Sequence, residues 1–230
     1  MQEFIKSFEC YDLTIIYEKF WVFLPAAADT LKISAAAILV GLVLGLIVAV
    51  MKLSPYKVFQ IPANLYIGVI RGTPILLQLF ILYYGITGII KLDNYPAAVI
   101  AFGVHNAAYI AEIFRGAIVS VDIGQQEAAR SLGMTKAQAF RRIVFPQAFK
   151  RAVPPLGNQF IIATKDSSLA SAISIRELLL KSQQLGASTY HFLEYLIIAG
   201  IYYLVISTSL GYIVHRLERR LAVSDREVQV

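Results

Sequence analysis

The amino-acid sequence predicts an all-α membrane protein with five transmembrane helices, on the strength of three observations. Of the 230 residues, 57% are hydrophobic and only 16% are charged, whereas a soluble domain usually has about 25% charged residues. Four uncharged runs, residues 33–51, 72–90, 94–111 and 195–214, each approach the ~20 residues that a helix needs to cross a ~30 Å hydrocarbon core. The runs are continuous and do not alternate, which favours helices over a β-barrel.

A fifth apolar segment, residues 152–175, is long enough to cross the membrane if it tolerates two charges near its middle. These charges belong to Lys165 and Asp166, which Ser167 and Ser168 follow directly. An ionisable side chain inside a membrane span costs at least ~2.5–3.5 kcal/mol, so such a residue marks a functional site by default. The stretch therefore predicts a helix break that lines a polar path.

The positions of the lysines and arginines predict how the chain crosses the membrane. With five spans, 13 of these residues fall in the segments on one side and six on the other. Because positive segments stay in the cytoplasm, the N-terminus lies outside and the C-terminus inside. The basic excess is then a topology signal and predicts no nucleic-acid partner. The predicted division is an extracytoplasmic amphipathic lead-in (1–22), a transmembrane domain (23–220) with a cytoplasmic region (119–151), and a cytoplasmic tail (221–230).

The first two spans each carry a feature that affects packing. Span one contains Gly41 and Gly45, a small-xxx-small pattern that allows close helix contact. Span two is interrupted at Arg71-Gly72-Thr73-Pro74. Pro74 removes a backbone donor and Gly72 is a weak helix former, so a kink is predicted. Arg71 is expected to bind the carbonyl groups that this break frees, in preference to a ligand.

Span three, residues 97–118, carries polar side chains at steps of three: Asn106, Tyr109, Glu112 and Arg115. Residues three apart are neighbours on a helix, although the line drifts by roughly 60° per step. Asn106, Tyr109 and Glu112 therefore share one broad side of the span. That side is expected to face other helices or water, because lipid does not solvate such groups.

Region 119–151 is too long for a plain connection between two spans and is predicted to be helical. Gly133 closes a helix over 125–132, and Thr135 caps the next helix in a capping box with Gln138. Pro146 then bends the chain back towards the membrane. Span four is predicted over 155–173, a short amphipathic helix on the outer surface over 176–187, and span five over 192–217.

Within this region, the stretch 127-EAARSLGMTKAQAFRRIVFPQA-148 combines a small apolar face with a polar face. Ala128, Ala129 and Leu132 form the apolar face, and Glu127 lies at the start of the polar one. A helix of this kind suits docking into a groove of another protein. Its arginines equally favour a loop that lies on anionic lipid, so the residues alone leave both interpretations open.

The same stretch resembles the EAA signature of the permease subunits of ABC importers. The resemblance rests on Glu127-Ala128-Ala129, then Gly133, then Ile143 and Pro146; Phe145 stands where the family has leucine. Further stretches resemble the branch that takes up polar amino acids, and together they cover about residues 23–220. These stretches are Arg71-Gly72-Thr73-Pro74, residues 109–116, residues 126–133 and residues 165–169.

The resemblance implies a type I importer fold in the cell membrane of a prokaryote. It implies a second permease subunit, identical or similar, and a solute-binding protein that delivers the amino acid. The helix with Glu127, Ala128, Ala129, Leu132 and Gly133 would couple the chain to an ATPase subunit. This chain has no phosphate loop of the Gly-x-x-x-x-Gly-Lys-Ser/Thr type. It is therefore expected to be a transport subunit without enzymatic activity or a cofactor, with ATP and Mg on the partner ATPase.

The polar residues within the spans predict the substrate path. A zwitterionic amino acid needs a cation for its carboxylate and an anion for its ammonium group. The predicted path residues supply both: Lys165, Asp166, Ser167, Ser168, Asn106, Tyr109 and Glu112. Alternatively, these charges neutralise one another or cap helix breaks. The two extra carboxylates lean towards a basic or neutral polar amino acid.

Two other classes of function are compatible with the same charges. An ion-coupled secondary transporter or channel is the main alternative, although five spans without a visible repeat weaken it. A membrane enzyme would need a paired nucleophile and base, and Ser167 with Ser168 beside Lys165 is thin support for one. His105, His191 and His215 are scattered without metal-ligand spacing, so no metal site is predicted.

Overall fold

The computed structural model describes residue 12 and residues 14–226, and this part of the chain is helical without strands. Most of the predicted lead-in (1–22) and the end of the predicted tail (221–230) lie outside the described residues. The helices are α1 (Thr14–Lys19), α2 (Leu24–Leu53), α3 (Lys57–Gly72), α4 (Ile75–Phe80), α5 (Asn94–Val119), α6 (Ile123–Ser131), α7 (Lys136–Ala139), α8 (Phe145–Asp166), α9 (Leu178–Thr189) and α10 (Phe192–Arg226). Short 3₁₀ or π turns extend four of them: Phe20–Phe23, Ile81–Gly85, Phe140–Val144 and Ser167–Ile173.

Three helical stretches are long and apolar enough to cross a membrane: Thr14–Leu53, Asn94–Val119 and Phe192–Leu221. A fourth crossing is formed if the bent pair Lys57–Gly72 and Ile75–Gly85 counts as one span. α8 covers most of predicted span four but begins ten residues earlier than predicted. It is not among these candidates, because polar and charged residues are distributed along it. The count of five spans stays a prediction.

α5 lies at the centre of the helical bundle and packs against α2, α3, α4 and α8. Its buried positions are mostly small, including Ala97, Ala101, Ala107, Ala108 and Ala111. Small side chains let neighbouring backbones approach closely, which is how helices associate in lipid. The polar residues of α5 are consequently held at fixed positions among four surrounding helices.

The predicted small-xxx-small contact of span one is confirmed. Gly41 and Gly45 are both buried where α2 crosses α5. A Cβ atom at Gly45 would lie 2.7 Å from Cγ2 of Ile110, and one at Gly41 would lie 3.2 Å from Cβ of Asn106. On the facing helix, a Cβ atom at Gly103 would lie 2.6 Å from Cγ1 of Val40. Glycine is therefore required at this crossing for steric reasons.

The prediction that Pro146 bends the chain back towards the membrane is wrong. Pro146 lies in the first turn of α8 and does not end the helical path. The π turn Phe140–Val144 joins α7 to α8 with helical backbone angles at both of its ends. The chain therefore runs as one helical path from Lys136 to Asp166, and the reversal occurs earlier, around Gly133.

Candidate translocation path and coupling surface

The predicted break in span two is a sharp bend. α3 ends at Gly72, and Thr73 and Pro74 adopt extended backbone angles before α4 begins at Ile75. The axes of the two helical segments differ by 105°. Pro74 cannot donate a backbone hydrogen bond, and the bend leaves carbonyl groups of the last turn of α3 without helical partners.

Arg71 does not satisfy those carbonyl groups, which corrects the expectation from the sequence. The hydroxyl of Thr73 donates to the carbonyl oxygen of Val69 at 2.8 Å, and the other partner is the side chain of Gln78. Its Nε2 donates to the carbonyl oxygen of Ile70 at 2.8 Å, to that of Thr73 at 3.2 Å, and to Oγ1 of Thr73 at 2.8 Å. Its Oε1 lies 3.1 Å from Nδ1 of His105 on α5. One amide side chain thus ties both sides of the bend to the central helix.

Arg71 instead lies over an aromatic ring. Its guanidinium carbon is 5.1 Å from the centroid of the Tyr109 ring, a cation–π distance. The ring of His105 is also 5.1 Å from that of Tyr109. Arg71 and Gly72 are exposed and Tyr109 is half-buried, so the bend and α5 present a cation and a phenol at one surface.

Asn106 is fully buried between α5 and α8. Its Nδ2 donates to the carbonyl oxygen of Phe102 at 2.7 Å, and its Oδ1 accepts from Nε2 of Gln159 at 2.8 Å. Both ends of the side chain are therefore engaged. In this conformation, the predicted path residue Asn106 links two helices and faces away from any open space.

Glu112 belongs to an ion-pair network that links the last turn of α2 to α5. Its Oε1 lies 2.5 Å from Nζ of Lys52, and its Oε2 lies 2.9 Å from Nε of Arg115. The side chain of Glu112 is 20% exposed. Both carboxylate oxygens have a cationic partner, as in the alternative in which intramembrane charges neutralise one another.

The polar stretch that begins at Lys165 is a change of helix type. α8 ends at Asp166, a 3₁₀ helix follows over Ser167–Ile173, and Ser174 adopts left-handed backbone angles with φ of 64°. Lys165 is exposed, Asp166 and Ser168 are half-buried, and Ser167 is buried. Oγ of Ser167 donates to the carbonyl oxygen of Thr164 at 2.8 Å. The break itself is therefore as predicted.

The predicted path residues do not form one cluster within this single chain. Among the described residues, no hydrogen bond or ion pair joins Lys165 or Asp166 to the polar side of α5. Asn106 nevertheless holds α8 at Gln159, six residues before Lys165. Lys165, which is exposed, and Asp166, which is half-buried, therefore lie at the end of a helix that a hydrogen bond links to α5.

Region 119–151, which we call the coupling region, contains the predicted capped helices. α6 begins after Asp122, whose side chain accepts a hydrogen bond from the backbone N–H of Gly124 at 2.8 Å. Gly133 has a φ of 88°, a left-handed conformation that favours glycine. The capping box of Thr135 and Gln138 is present as predicted.

The predicted apolar face of α6 is divided between two directions. Ala128 is exposed and Leu132 is 83% exposed, whereas Ala129 is only 5% exposed. Ala129 is covered by other residues of this chain, so it is not available to a partner that contacts Ala128. The exposed set that could dock on another protein is therefore Glu127, Ala128 and Leu132.

Hydrogen bonds that the sequence did not predict join the two ends of the coupling region. The guanidinium of Arg151 on α8 donates to the carbonyl oxygen of Ser120 and, at 3.1 Å, to its Oγ. Beneath it, α5 and α8 share an apolar cluster that consists of Ala117, Val121, Val144, Ala148 and Ala152. The two ends of the coupling region are thus fastened to each other.

Glu177 is a buried carboxylate that the sequence analysis did not single out. It is fully buried at the start of α9, where its carboxylate accepts from the backbone N–H groups of Leu179 and Leu180 at 2.8 and 2.7 Å. The hydroxyl of Tyr203 on α10 donates to it at 2.6 Å. The only sequence signal is a glutamate directly before a run of leucines, the position of an N-cap.

Comparison with known proteins adds three findings. A family described as binding-protein-dependent transport system inner membrane component matches residues 41–223. The arginine transport system permease protein ArtQ of Bacillus subtilis (strain 168) is 38% identical over 204 residues, which cover 88% of this chain and 93% of that protein. The glutamine transport system permease protein GlnP of Escherichia coli (strain K12) is 35% identical over 216 residues, which cover 93% and 99%.

Solved structures resemble the fold. A chain of the crystal structure of an amino acid ABC transporter with histidines superposes with a TM-score of 0.87 at 38% identity, and the match covers 91% of this chain and 98% of that one. A chain of the inward-facing MetNI methionine ABC transporter has a TM-score of 0.68 at 20% identity, with coverage of 86% and 96%. The latter likeness concerns the fold alone.

Proposed function

Because this chain belongs to the family of binding-protein-dependent transport system inner membrane components, we propose that it forms the path for a polar L-amino acid in an ATP-driven importer. The observation that carries the proposal is the coupling region. There, a short capped helix presents Glu127, Ala128 and Leu132 outward while Arg151 fastens its base to the helix that carries Lys165 and Asp166. Relatives named for arginine and glutamine transport support an amino acid as the substrate.

The proposed topology has five spans, with the N-terminus outside and the C-terminus in the cytoplasm. α8 with its 3₁₀ extension is the fourth span, and the bent pair α3 and α4 is the second. The unequal distribution of lysine and arginine supports this orientation. The polar residues along α8 do not contradict a membrane position, because a span that faces protein or water tolerates them.

The proposed complex contains a second permease subunit, ATPase subunits and an extracytoplasmic solute-binding protein. α6 fits a groove of an ATPase subunit, which holds ATP and Mg. When the ATPase dimer closes, it moves α6 of each permease subunit. The hydrogen bonds between Ser120 and Arg151 transmit this motion to α5 and α8. The path then opens outward and receives the amino acid from the binding protein.

In the proposed path, Lys165 and Asp166 contact the two charges of the amino acid. Lys165 is exposed in the single chain and Asp166 is half-buried, as expected of side chains that face a path shared with a second permease subunit. Tyr109 and Arg71 line the adjoining bend. Glu112 already has Lys52 and Arg115 as partners, so we assign it to holding α2 against α5.

The test is ATP hydrolysis by the assembled complex in lipid vesicles, measured with and without the amino-acid-loaded binding protein. We expect Asp166→Asn to lower transport about tenfold or more, because it removes a charge partner of the ligand, while the complex still assembles. Asp93→Asn is the matched control, since Asp93 is exposed and forms no capping bond. Gly133→Ala should do the reverse and uncouple hydrolysis from transport. Failure of the Asp166→Asn complex to assemble would assign this residue a structural role.

A further inference from the structure

An apolar groove opens where the C-terminal ends of α2 and α5 meet the start of α8. Its volume is about 210 Å³. The side chains around it are all apolar, and the largest contributors come from three helices and one π turn. They are Leu46, Val50, Phe114, Phe140, Phe145 and Phe149.

Three phenylalanine rings form a ladder along one wall of this groove. The centroids of Phe140 and Phe145 are 6.3 Å apart, and those of Phe145 and Phe149 are 6.2 Å apart. These rings are 40%, 48% and 53% exposed, respectively. An exposed apolar patch of this kind marks an interaction with membrane or protein.

Two arginines lie at the end of the ladder that is nearest to α7. Arg141 and Arg142 belong to the π turn between Phe140 and Val144, and both are exposed. Together with Ala137 and Gln138, they line a polar cleft of about 540 Å³. Among the described residues, no ion pair involves either arginine. Phe140 and Phe145 are five residues apart across the π turn and therefore lie on one face, and Arg141 directly follows Phe140.

We propose that the groove and the cleft together bind one anionic phospholipid. Its acyl chain lies along the ladder of Phe140, Phe145 and Phe149, and its phosphate lies between Arg141 and Arg142. Guanidinium groups bind phosphate oxygens in pairs of charge-assisted hydrogen bonds. Basic pockets beside transmembrane helices select anionic head groups over zwitterionic ones.

Two protein occupants explain less of this surface. An acidic face of the ATPase subunit would pair with Arg141 and Arg142 but would leave the phenylalanine ladder uncovered. A second copy of this chain would cover the ladder, but its coupling region carries six lysines and arginines against two carboxylates and would repel the arginines. A phospholipid has both an apolar chain, which suits the groove, and an adjacent anionic phosphate, which suits the cleft.

The lipid would contact α2, α5 and the start of α8 at once, and the start of α8 is part of the coupling region. It would therefore stabilise the contacts among these helices, through which the motion of α6 is transmitted. This consequence rests on the proposed function, whereas lipid binding itself does not. Binding is accordingly the primary readout, and the coupling of ATP hydrolysis to transport is the secondary one.

The experiment uses the complete complex in vesicles that contain a phosphatidylglycerol or a phosphatidylcholine with a photoreactive group near the end of one acyl chain. After irradiation, labelled peptides are mapped by mass spectrometry. We expect the phosphatidylglycerol probe to label peptides 140–149 preferentially, by about fivefold for each arginine. Both probes are present in both leaflets, so the result does not depend on the orientation of the chain.

The decisive variant is Arg141→Gln combined with Arg142→Gln, which should abolish the preference and leave labelling by phosphatidylcholine unchanged. The matched control is Arg216→Gln combined with Arg219→Gln, since both arginines are exposed on α10 and lie away from the groove. Equal loss of preference in the control would reveal a general surface-charge effect and overturn the site. If neither probe labels the groove, a protein subunit covers it, and this result would also overturn the proposed lipid site.

Discussion

Gln78 fixes the 105° bend between α3 and α4 through its contacts with Ile70, Thr73 and His105. Replacing it with leucine keeps the volume but leaves the half-buried carbonyl groups of the bend without this donor. We expect Gln78→Leu to lower the free energy of unfolding by about 2 kcal/mol and to reduce transport, as measured by thermal unfolding and uptake. Gln183→Leu is the control, because Gln183 is exposed on α9. Equal effects of the two substitutions would contradict the role of Gln78.

The bend shows which part of a site sequence can predict. A glycine and a proline two residues apart predict the break, because their effect on the backbone is local. The side chain that satisfies the freed carbonyls depends on the direction of the bend, which folds position 78 back onto position 70. Arg71 is nearer in sequence, but it ends over Tyr109. The only signal for Gln78 is a lone amide in an apolar helix.

At the scale of the elements, the close crossing of α2 and α5 limits the size of the side chain that position 45 can accommodate. A Cβ atom there would lie 2.7 Å from Cγ2 of Ile110. We expect Gly45→Ala to lower the free energy of unfolding by about 1–3 kcal/mol, the usual cost of overpacking, as measured by thermal unfolding of the purified protein. Gly68→Ala should be neutral, because a Cβ atom at Gly68 meets no atom within 4 Å. Equal stability of both variants would show that the helices separate at no cost.

Elements defined by local chemistry were predictable, and those defined by distant contacts were not. The closing glycine of α6 and the capping box of Thr135 and Gln138 depend on residues within a few positions of one another. The start of α8 depends instead on the apolar cluster that α8 forms with α5. For that reason, the sequence predicts a bend at Pro146, although this residue occupies the first turn of a continuing helix.

At the scale of the whole molecule, Arg151 is the contact that fastens the coupling region to the rest of the bundle. We expect Arg151→Ala to leave ATP hydrolysis by the assembled complex intact and to reduce the amino acid transported per ATP by about fivefold, the effect of losing about 1 kcal/mol of hydrogen bonding at an exposed site. Lysine offers a point charge and no planar fork, so Arg151→Lys should restore transport in part. Arg176→Ala, at an exposed position outside the coupling region, serves as the control. Unchanged stoichiometry in Arg151→Ala would refute this link.

The central claim is that this chain forms the transport path while a partner ATPase supplies the energy. Uptake into vesicles tests this claim most directly. The vesicles contain the complete complex, the binding protein and a labelled polar amino acid, with all ion gradients collapsed by ionophores. The account predicts uptake that requires hydrolysable ATP and stops with a non-hydrolysable analogue, since no energy source other than the partner ATPase is invoked. Uptake that a proton or sodium gradient drives in the absence of ATP would contradict it.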